Sequence, residues 1–243
     1  MTTNNRKPTA RTVKSALHEF VDADRAALCW RYFKAGPGEY AEGDKFIGLT
    51  VPQQRKIARG FRNLPLKEVQ RLLDDPVHEC RFTALVILVD QFEQAKNETV
   101  RKTIYEFYLR QIDHVNNWDL VDTSAPKIVG AYLWQKSHQP LFKLARARHL
   151  WKNRIAIVST MYFIRQGDFD TTLALAEELM EHPHDLIHKA VGWMLREVGD
   201  KDRAVLTCFL QKHARIMPRT MLRYAIEKLP AAQRELFLKL KSR

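Results

Sequence analysis

Cysteine is scarce in this 243-residue chain: Cys29, Cys80 and Cys208 lie far apart and are odd in number. That usage argues against a disulfide framework and fits a reducing compartment. Long apolar runs are missing as well. The most apolar stretch, Ala84 to Val89, falls far short of the roughly 18 residues that a membrane span needs. The first eight residues are polar and hold no apolar stretch that could act as a signal peptide. The expected location is cytoplasmic, of bacterial type, and residues 1–10 are expected to be flexible. No segment alternates apolar and polar residues over six positions, so half-buried strands are not expected. Acidic residues are in deficit: 28 Asp and Glu stand against 40 Lys and Arg, a formal net charge of +12.

An excess of that size points to a polyanionic partner. Nucleic acid is the commonest, because Lys and Arg neutralise its phosphates with release of counterions. The other reading is a basic protein whose charge only keeps it in solution.

What is present is helical periodicity. Apolar residues recur three or four apart over Thr12–Val21, Ala23–Lys34, Val51–Arg62, Leu66–Leu73, Arg81–Ala95 and Val100–Ile112. The pattern continues over Trp118–Trp134, Leu141–Ala147, Arg154–Arg165, Thr171–Met180, Leu186–Val198, Ala204–Ile216, Thr220–Leu229 and Ala231–Lys241. Short punctuators such as Asp74-Asp-Pro76, His182-Pro183 and Pro230 separate them. The expected fold is all-α, one domain over residues 1–243.

Four helices share an opening of one polar or charged residue followed by small and apolar ones. These are Arg81-Phe-Thr-Ala84, Asp122-Thr-Ser-Ala125, Arg154-Ile-Ala-Ile157 and Lys189-Ala-Val-Gly192, with Arg219-Thr-Met-Leu222 a weaker fifth. The intervals of 41, 32, 35 and 30 residues match one helix pair of a HEAT-type array, so an α-α superhelix of HEAT-like repeats with a concave basic face is expected. The charged slot can meet a polar ligand or form an internal ladder of salt bridges. Between the second and third helices runs Ala35 to Thr50, with Gly36, Gly38, Gly43 and Gly48. It has no Gly-Lys-Ser/Thr ending and no preceding strand, so it is not a Walker loop; a plain connector is the simpler reading.

Three constellations could carry chemistry. Trp118 and Asp122 are four apart and share a helix face, while Asp119 points about 100° away and suits a cap or salt bridge. An indole beside a carboxylate can stabilise developing positive charge; it can equally be a structural Trp beside an Asp paired with Arg154. Lys189, Trp193 and Arg196 fall at i, i+4 and i+7, a basic–aromatic–basic stripe for nucleic acid, or a core Trp flanked by snorkelling cations. Gly192, unfavourable in mid-helix, suggests that something needs room beside Trp193. Lys152 and Arg154 sit at an expected helix start, where an anion is favoured. His184 and His188 have the spacing of a metal pair but no third ligand, and no metal is expected. No Ser-His-Asp set and no cysteine with the context of a nucleophile is present.

Taken in order, Arg31-Tyr-Phe-Lys34, Lys45-Phe-Ile-Gly48, Val51-Pro-Gln-Gln-Arg55, His78-Glu-Cys-Arg-Phe-Thr-Ala-Leu85, Trp118-Asp-Leu-Val-Asp122, Arg154 and Lys189 to Glu197 resemble the AlkD-like DNA alkylation repair proteins, HEAT-like-repeat glycosylases that excise N-alkylated purines. The likeness runs from about Arg31 to Glu227. It implies a catalytic group of Asp122, Trp118, Trp193 and Arg154, with Trp118 and Trp193 flanking the lesion nucleotide and Arg154 near the DNA backbone. Superfamily members without detectable glycosylase function lack some of these four. Tyr32 matches a DNA-contacting tyrosine, and Lys152, Arg154, Lys189 and Arg196 are the remaining expected DNA contacts. The resemblance further implies a duplex held on a basic surface with the lesion not enclosed, no cofactor, and an abasic product without strand cleavage; a monomer is expected. Two other readings are a non-catalytic HEAT-like binder of distorted nucleic acid and a protein-interaction scaffold. A scaffold would show little salt dependence toward duplex DNA. Duplex affinity is instead expected to fall steeply as salt rises, which a titration of binding against ionic strength will check.

Overall fold

The computed structural model describes residues 8–240, and among them every regular element is helical. Helical hairpins pack in a repeat-like arrangement, consistent with the α-α superhelical class. By packing, the chain divides into two compact units, Met1–Ser124 and Ala125–Arg243. The expectation of flexibility over residues 1–10 falls mostly on residues 1–7, which lie outside the described residues. Thr9 and Ala10 are the cap and first residue of a helix.

The first unit contains α1 (Ala10–His18), α2 (Ala23–Tyr32), α3 (Val51–Gly60), α4 (Leu66–Leu73), α5 (His78–Gln94), α6 (Glu98–Arg110) and α7 (Trp118–Ala125). Local signals fix several starts. Thr9 and Thr12 form a reciprocal capping pair, Thr50 and Gln53 form another with Pro52 in the first turn, and Asp22 accepts the Arg25 N–H at 2.9 Å. At the centre lies α5, packed on α1, α3, α4 and α6. It is buried from His78 to Val89: the stretch 84–89 is apolar around its circumference, and His78, Glu79 and Arg81 near its start are buried with polar partners.

The second unit contains α8 (Ala131–Leu133), α9 (Gln139–Ala145), α10 (Leu150–Ser159), α11 (Met161–Arg165), α12 (Asp170–Glu178), α13 (Asp185–Lys201), α14 (Arg203–His213), α15 (Arg219–Ala225) and α16 (Ala231–Lys239). Here α13 is the hub, in contact with α10, α11, α12, α14 and α15.

Three boundaries differ from the periodicity. The helix expected over Trp118–Trp134 changes at Pro126 into a wider π turn, Pro126–Gly130; proline lacks the N–H for a regular helical bond. The helix expected over Arg154–Arg165 is interrupted at Thr160, whose hydroxyl donates to the Ile157 carbonyl at 2.7 Å. The charged residues of the repeated slot do not open their helices: Arg81, Asp122, Arg154 and Lys189 all sit one turn inside α5, α7, α10 and α13. Two of those starts are capped by histidine: the Nδ1 atoms of His149 and His184 accept the N–H groups of Lys152 and Leu186.

The glycine-rich segment is more than a connector. The Lys45 N–H donates to the Pro76 carbonyl at 3.0 Å, and the His78 N–H donates back to Lys45 at 2.8 Å. The buried carboxylate of Glu79 accepts the N–H groups of Ile47 and Gly48, the latter at 2.8 Å. Gly48 has φ of +86°, and a Cβ there would stand 2.1 Å from the Asp22 carbonyl oxygen. Gly48→Ala is therefore expected to destabilise the protein by about 2–4 kcal/mol through strain and overlap, read as a lowered urea midpoint.

Candidate functional site

In the first unit the site residues gather at the start of α7. Trp118 is its first residue and Asp122 lies one turn on; both are half-buried. The Trp118 indole stacks on Phe33, with centroids 5.4 Å apart at 23°, and meets Tyr32 edge-on at 5.9 Å. Tyr32 ends α2 and is 66% exposed, so the expected DNA-contacting tyrosine stands beside the expected catalytic tryptophan. Phe33 continues the stack onto Phe46 at 5.3 Å and onto the His78 ring at 4.8 Å. A cleft of about 510 Å³ opens here, lined in part by Cys29, Tyr32, Phe33, Phe46, His78 and Asp119.

Beneath the rings lies a charged cluster. His78 Nε2 donates to Asp119 Oδ2 at 2.8 Å and Nδ1 to Asp44 Oδ2 at 3.3 Å. Arg81 Nη2 stands 2.6 Å from the same Asp44 oxygen, and its Nη1 donates to the Asp75 carbonyl at 3.0 Å. Asp44, His78 and Arg81 are all buried. Burial alone would lower the His78 pKa, but the charge and hydrogen bond of Asp119 and the hydrogen bond of Asp44 outweigh it and Arg81, raising the value to about 9. For Asp44 burial pushes upward, and the His78 hydrogen bond with the Arg81 charge takes it below the usual carboxylate value. With His78 protonated, two cations match two carboxylates.

Asp119 makes the salt bridge that its position suggests: Oδ2 holds His78, while Oδ1 accepts the N–H of the adjacent Leu120 at 2.9 Å. On the other side of α7, Ser124 Oγ donates to the Leu120 carbonyl at 2.6 Å and shares a 3.0 Å hydrogen bond with the buried Tyr108 hydroxyl. Burial pushes the Tyr108 phenol above its usual value; the Ser124 bond opposes this and the charge of Asp122 adds to it.

The second unit carries the other candidates. Arg154, on α10, is only 5% exposed, and its Nη1 donates to the Leu186 carbonyl at 2.7 Å in the first turn of α13. Lys152 is half-buried two residues earlier. On α13, Trp193 is half-buried and its Nε1 donates to Glu197 at 2.9 Å. Lys189 is paired with Asp185 at 2.8 Å, and Arg196 with Glu227. The stripe exists, with both of its cations already holding carboxylates. Gly192 has a different cause from the one expected. A Cβ there would lie 2.5 Å from the Met221 carbonyl oxygen, so the glycine lets α15 approach α13 and does not make room beside Trp193. Ring nitrogens of the three neighbouring histidines take part in local bonds: His184 caps α13, His188 Nε2 donates to the His182 carbonyl, and His182 Nε2 meets Asn153. Among the described residues no group of three or more His, Cys, Asp or Glu side chains is placed to hold a metal ion.

Phe33, Phe46, Asp44, His78, Arg81 and Asp119 therefore belong to the surroundings of Trp118. Sequence reasoning reached Asp119 as a cap or salt-bridge partner and Arg81 as a member of the repeated charged slot, and gave Phe33, Asp44, Phe46 and His78 no role of their own. Their partners lie 34 and 41 residues away, beyond the reach of any local spacing rule.

The class this defines is an all-helical repeat protein with an indole and a carboxylate one turn apart beside exposed aromatic surface. The sequence pattern of the DNA alkylation repair enzyme family matches residues 13–229, and the chain belongs to that family. No curated protein matches it. Among solved structures, a chain described as a predicted DNA alkylation repair enzyme from Enterococcus faecalis is similar at TM-score 0.67 and 16% identity, with 87% of this chain and 97% of that one covered. At that identity the likeness concerns the fold. No helix among the described residues is long and apolar enough to cross a membrane.

The histidine sets a pH dependence. A folded pKa near 9 against 6.5 unfolded means that its stabilisation is complete below about pH 6.5 and is lost as pH rises through about 9. The stability advantage of the wild type over His78→Phe is expected to shrink by about 3 kcal/mol over that window, as urea unfolding of both proteins from pH 6 to 10 will show.

Proposed function

We propose that the protein is a monofunctional DNA glycosylase that hydrolyses the N-glycosidic bond of N3- or N7-alkylated purines in duplex DNA. The observation that carries the reading is the pair Trp118 and Asp122 on successive turns of α7, in a chain of the DNA alkylation repair family. An alkyl group on N3 or N7 makes the purine cationic and a good leaving group. The C1′–N9 bond breaks with its electrons passing to the purine, which neutralises the ring. Positive charge develops on the sugar, and water adds at C1′ with loss of a proton.

Asp122 stabilises the sugar cation and orients or deprotonates the attacking water. Trp118 and Trp193 present π-faces to the cationic nucleotide, and Arg154 lies near the DNA backbone. Tyr32, Lys152, Lys189 and Arg196 contact DNA; Lys189 and Arg196 would exchange Asp185 and Glu227 for phosphate. This reading involves no lysine Schiff base, metal or cofactor. The product is an abasic site in an unbroken strand, and the protein acts as a monomer in the cytoplasm.

Duplex containing N7-methylguanine is expected to yield free base and alkali-labile sites. Asp122→Asn should lower release at least about 100-fold with duplex affinity largely kept, and Trp118→Ala should slow release more than it weakens binding. Full release by the Asn variant would remove Asp122 from its role. DNA binding by the wild type without any base release would instead favour a non-catalytic binder of distorted nucleic acid.

A further inference from the structure

We propose that His78 is a positioning residue for base excision, setting the first turn of α7 and thereby the presentation of Trp118 and Asp122; the inference rests on the glycosylase reading above. Three contacts converge on its ring. Through Nε2 it holds Asp119 at 2.8 Å, and the other oxygen of that carboxylate holds the Leu120 N–H at 2.9 Å. One carboxylate thus fastens His78 to the backbone between Trp118 and Asp122. Through Nδ1 the ring reaches Asp44 in the glycine-rich segment, where Arg81 shares the same oxygen. The ring also packs against those of Phe33 at 4.8 Å and Phe46 at 5.0 Å, and Phe33 in turn carries the Trp118 indole.

The indole and the backbone of α7 are therefore both referenced to one imidazole, by stacking and by a charge-assisted hydrogen bond. His78 is only 3% exposed, too enclosed to touch a duplex, so its influence passes through these neighbours. Small displacements of reacting groups have large effects on rate and little on overall affinity, because the ground-state contacts with DNA phosphates lie elsewhere.

The test compares wild type, His78→Phe, which keeps a ring but neither hydrogen bond, and Asp119→Ala, which cuts the same link from α7. Single-turnover release of N7-methylguanine from a defined duplex, affinity for that duplex and amide hydrogen exchange are measured for each. Release is expected to slow about 30- to 100-fold with affinity changed less than about threefold. Exchange of amides 119–124 should quicken about tenfold while that of residues 85–89 in α5 stays at the wild-type rate. Wild-type release together with wild-type exchange in α7 overturns the proposal. So does a loss of protection that extends equally through α5, which would mark a general loosening. Should the Phe variant not fold, the Asp119→Ala protein decides on the same criteria. A wild type that frees no base sinks the glycosylase reading, and the exchange data then decide separately whether His78 governs α7.

Discussion

Asp44, His78, Arg81 and Asp119 place two positive and two negative charges in a region from which water is almost excluded. Each is paired there, and an isolated buried charge is far costlier than a paired one. Together they join parts of the chain that are distant in sequence: the glycine-rich segment, the start of α5 and the start of α7. The stack of Phe46, Phe33 and Trp118 rests against the same imidazole. The surroundings of Trp118 are thus specified by an ionic balance beneath an aromatic layer, and removing one member leaves its opposite uncompensated.

The all-α fold is legible in the sequence because each helix carries its own periodicity, and several starts because Thr9, Asp22 and Thr50 are ordinary caps. Histidine caps are not part of that signal, which is why the helix holding Arg154 begins at Leu150, ahead of the apolar pattern expected from Arg154. The π turn after α7 depends on how one proline meets its surroundings, and periodicity continues straight through it. Of the site, the pair Trp118 and Asp122 is readable because a four-residue spacing fixes a shared helix face. The charged cluster beneath it is not, because nothing local links Asp44 to His78 or His78 to Asp119. Gly192 shows the same limit: a mid-helix glycine signals a close approach, but only the packing of α15 on α13 says by what.

The second unit shows how a basic composition can mislead at single positions. Lys189 and Arg196 belong to the excess of positive charge, yet Lys189 is engaged by Asp185 on its own helix and Arg196 by Glu227 in the turn after α15. Their value to an anionic partner is the difference between two pairings, which is smaller than that of a solvated cation meeting a phosphate. Arg154 is committed in another way, to a backbone carbonyl at the start of α13, so it joins two helices besides any role toward DNA.

One further consequence concerns α2, which has no buried residue along its whole length. Its hold on the body of the unit is concentrated at its two tips. At one, Asp22 bonds to Ile47 and lies against Gly48; at the other, Tyr32 and Phe33 pack on Trp118. A helix held chiefly near its ends, with only Ala26 and Cys29 half-buried between them, has a lower free energy of opening than the core. The outermost ring of the aromatic surface, Tyr32, is thus carried by a helix without a buried residue, whereas Trp118 sits on a helix whose Leu120 and Val121 are fully enclosed.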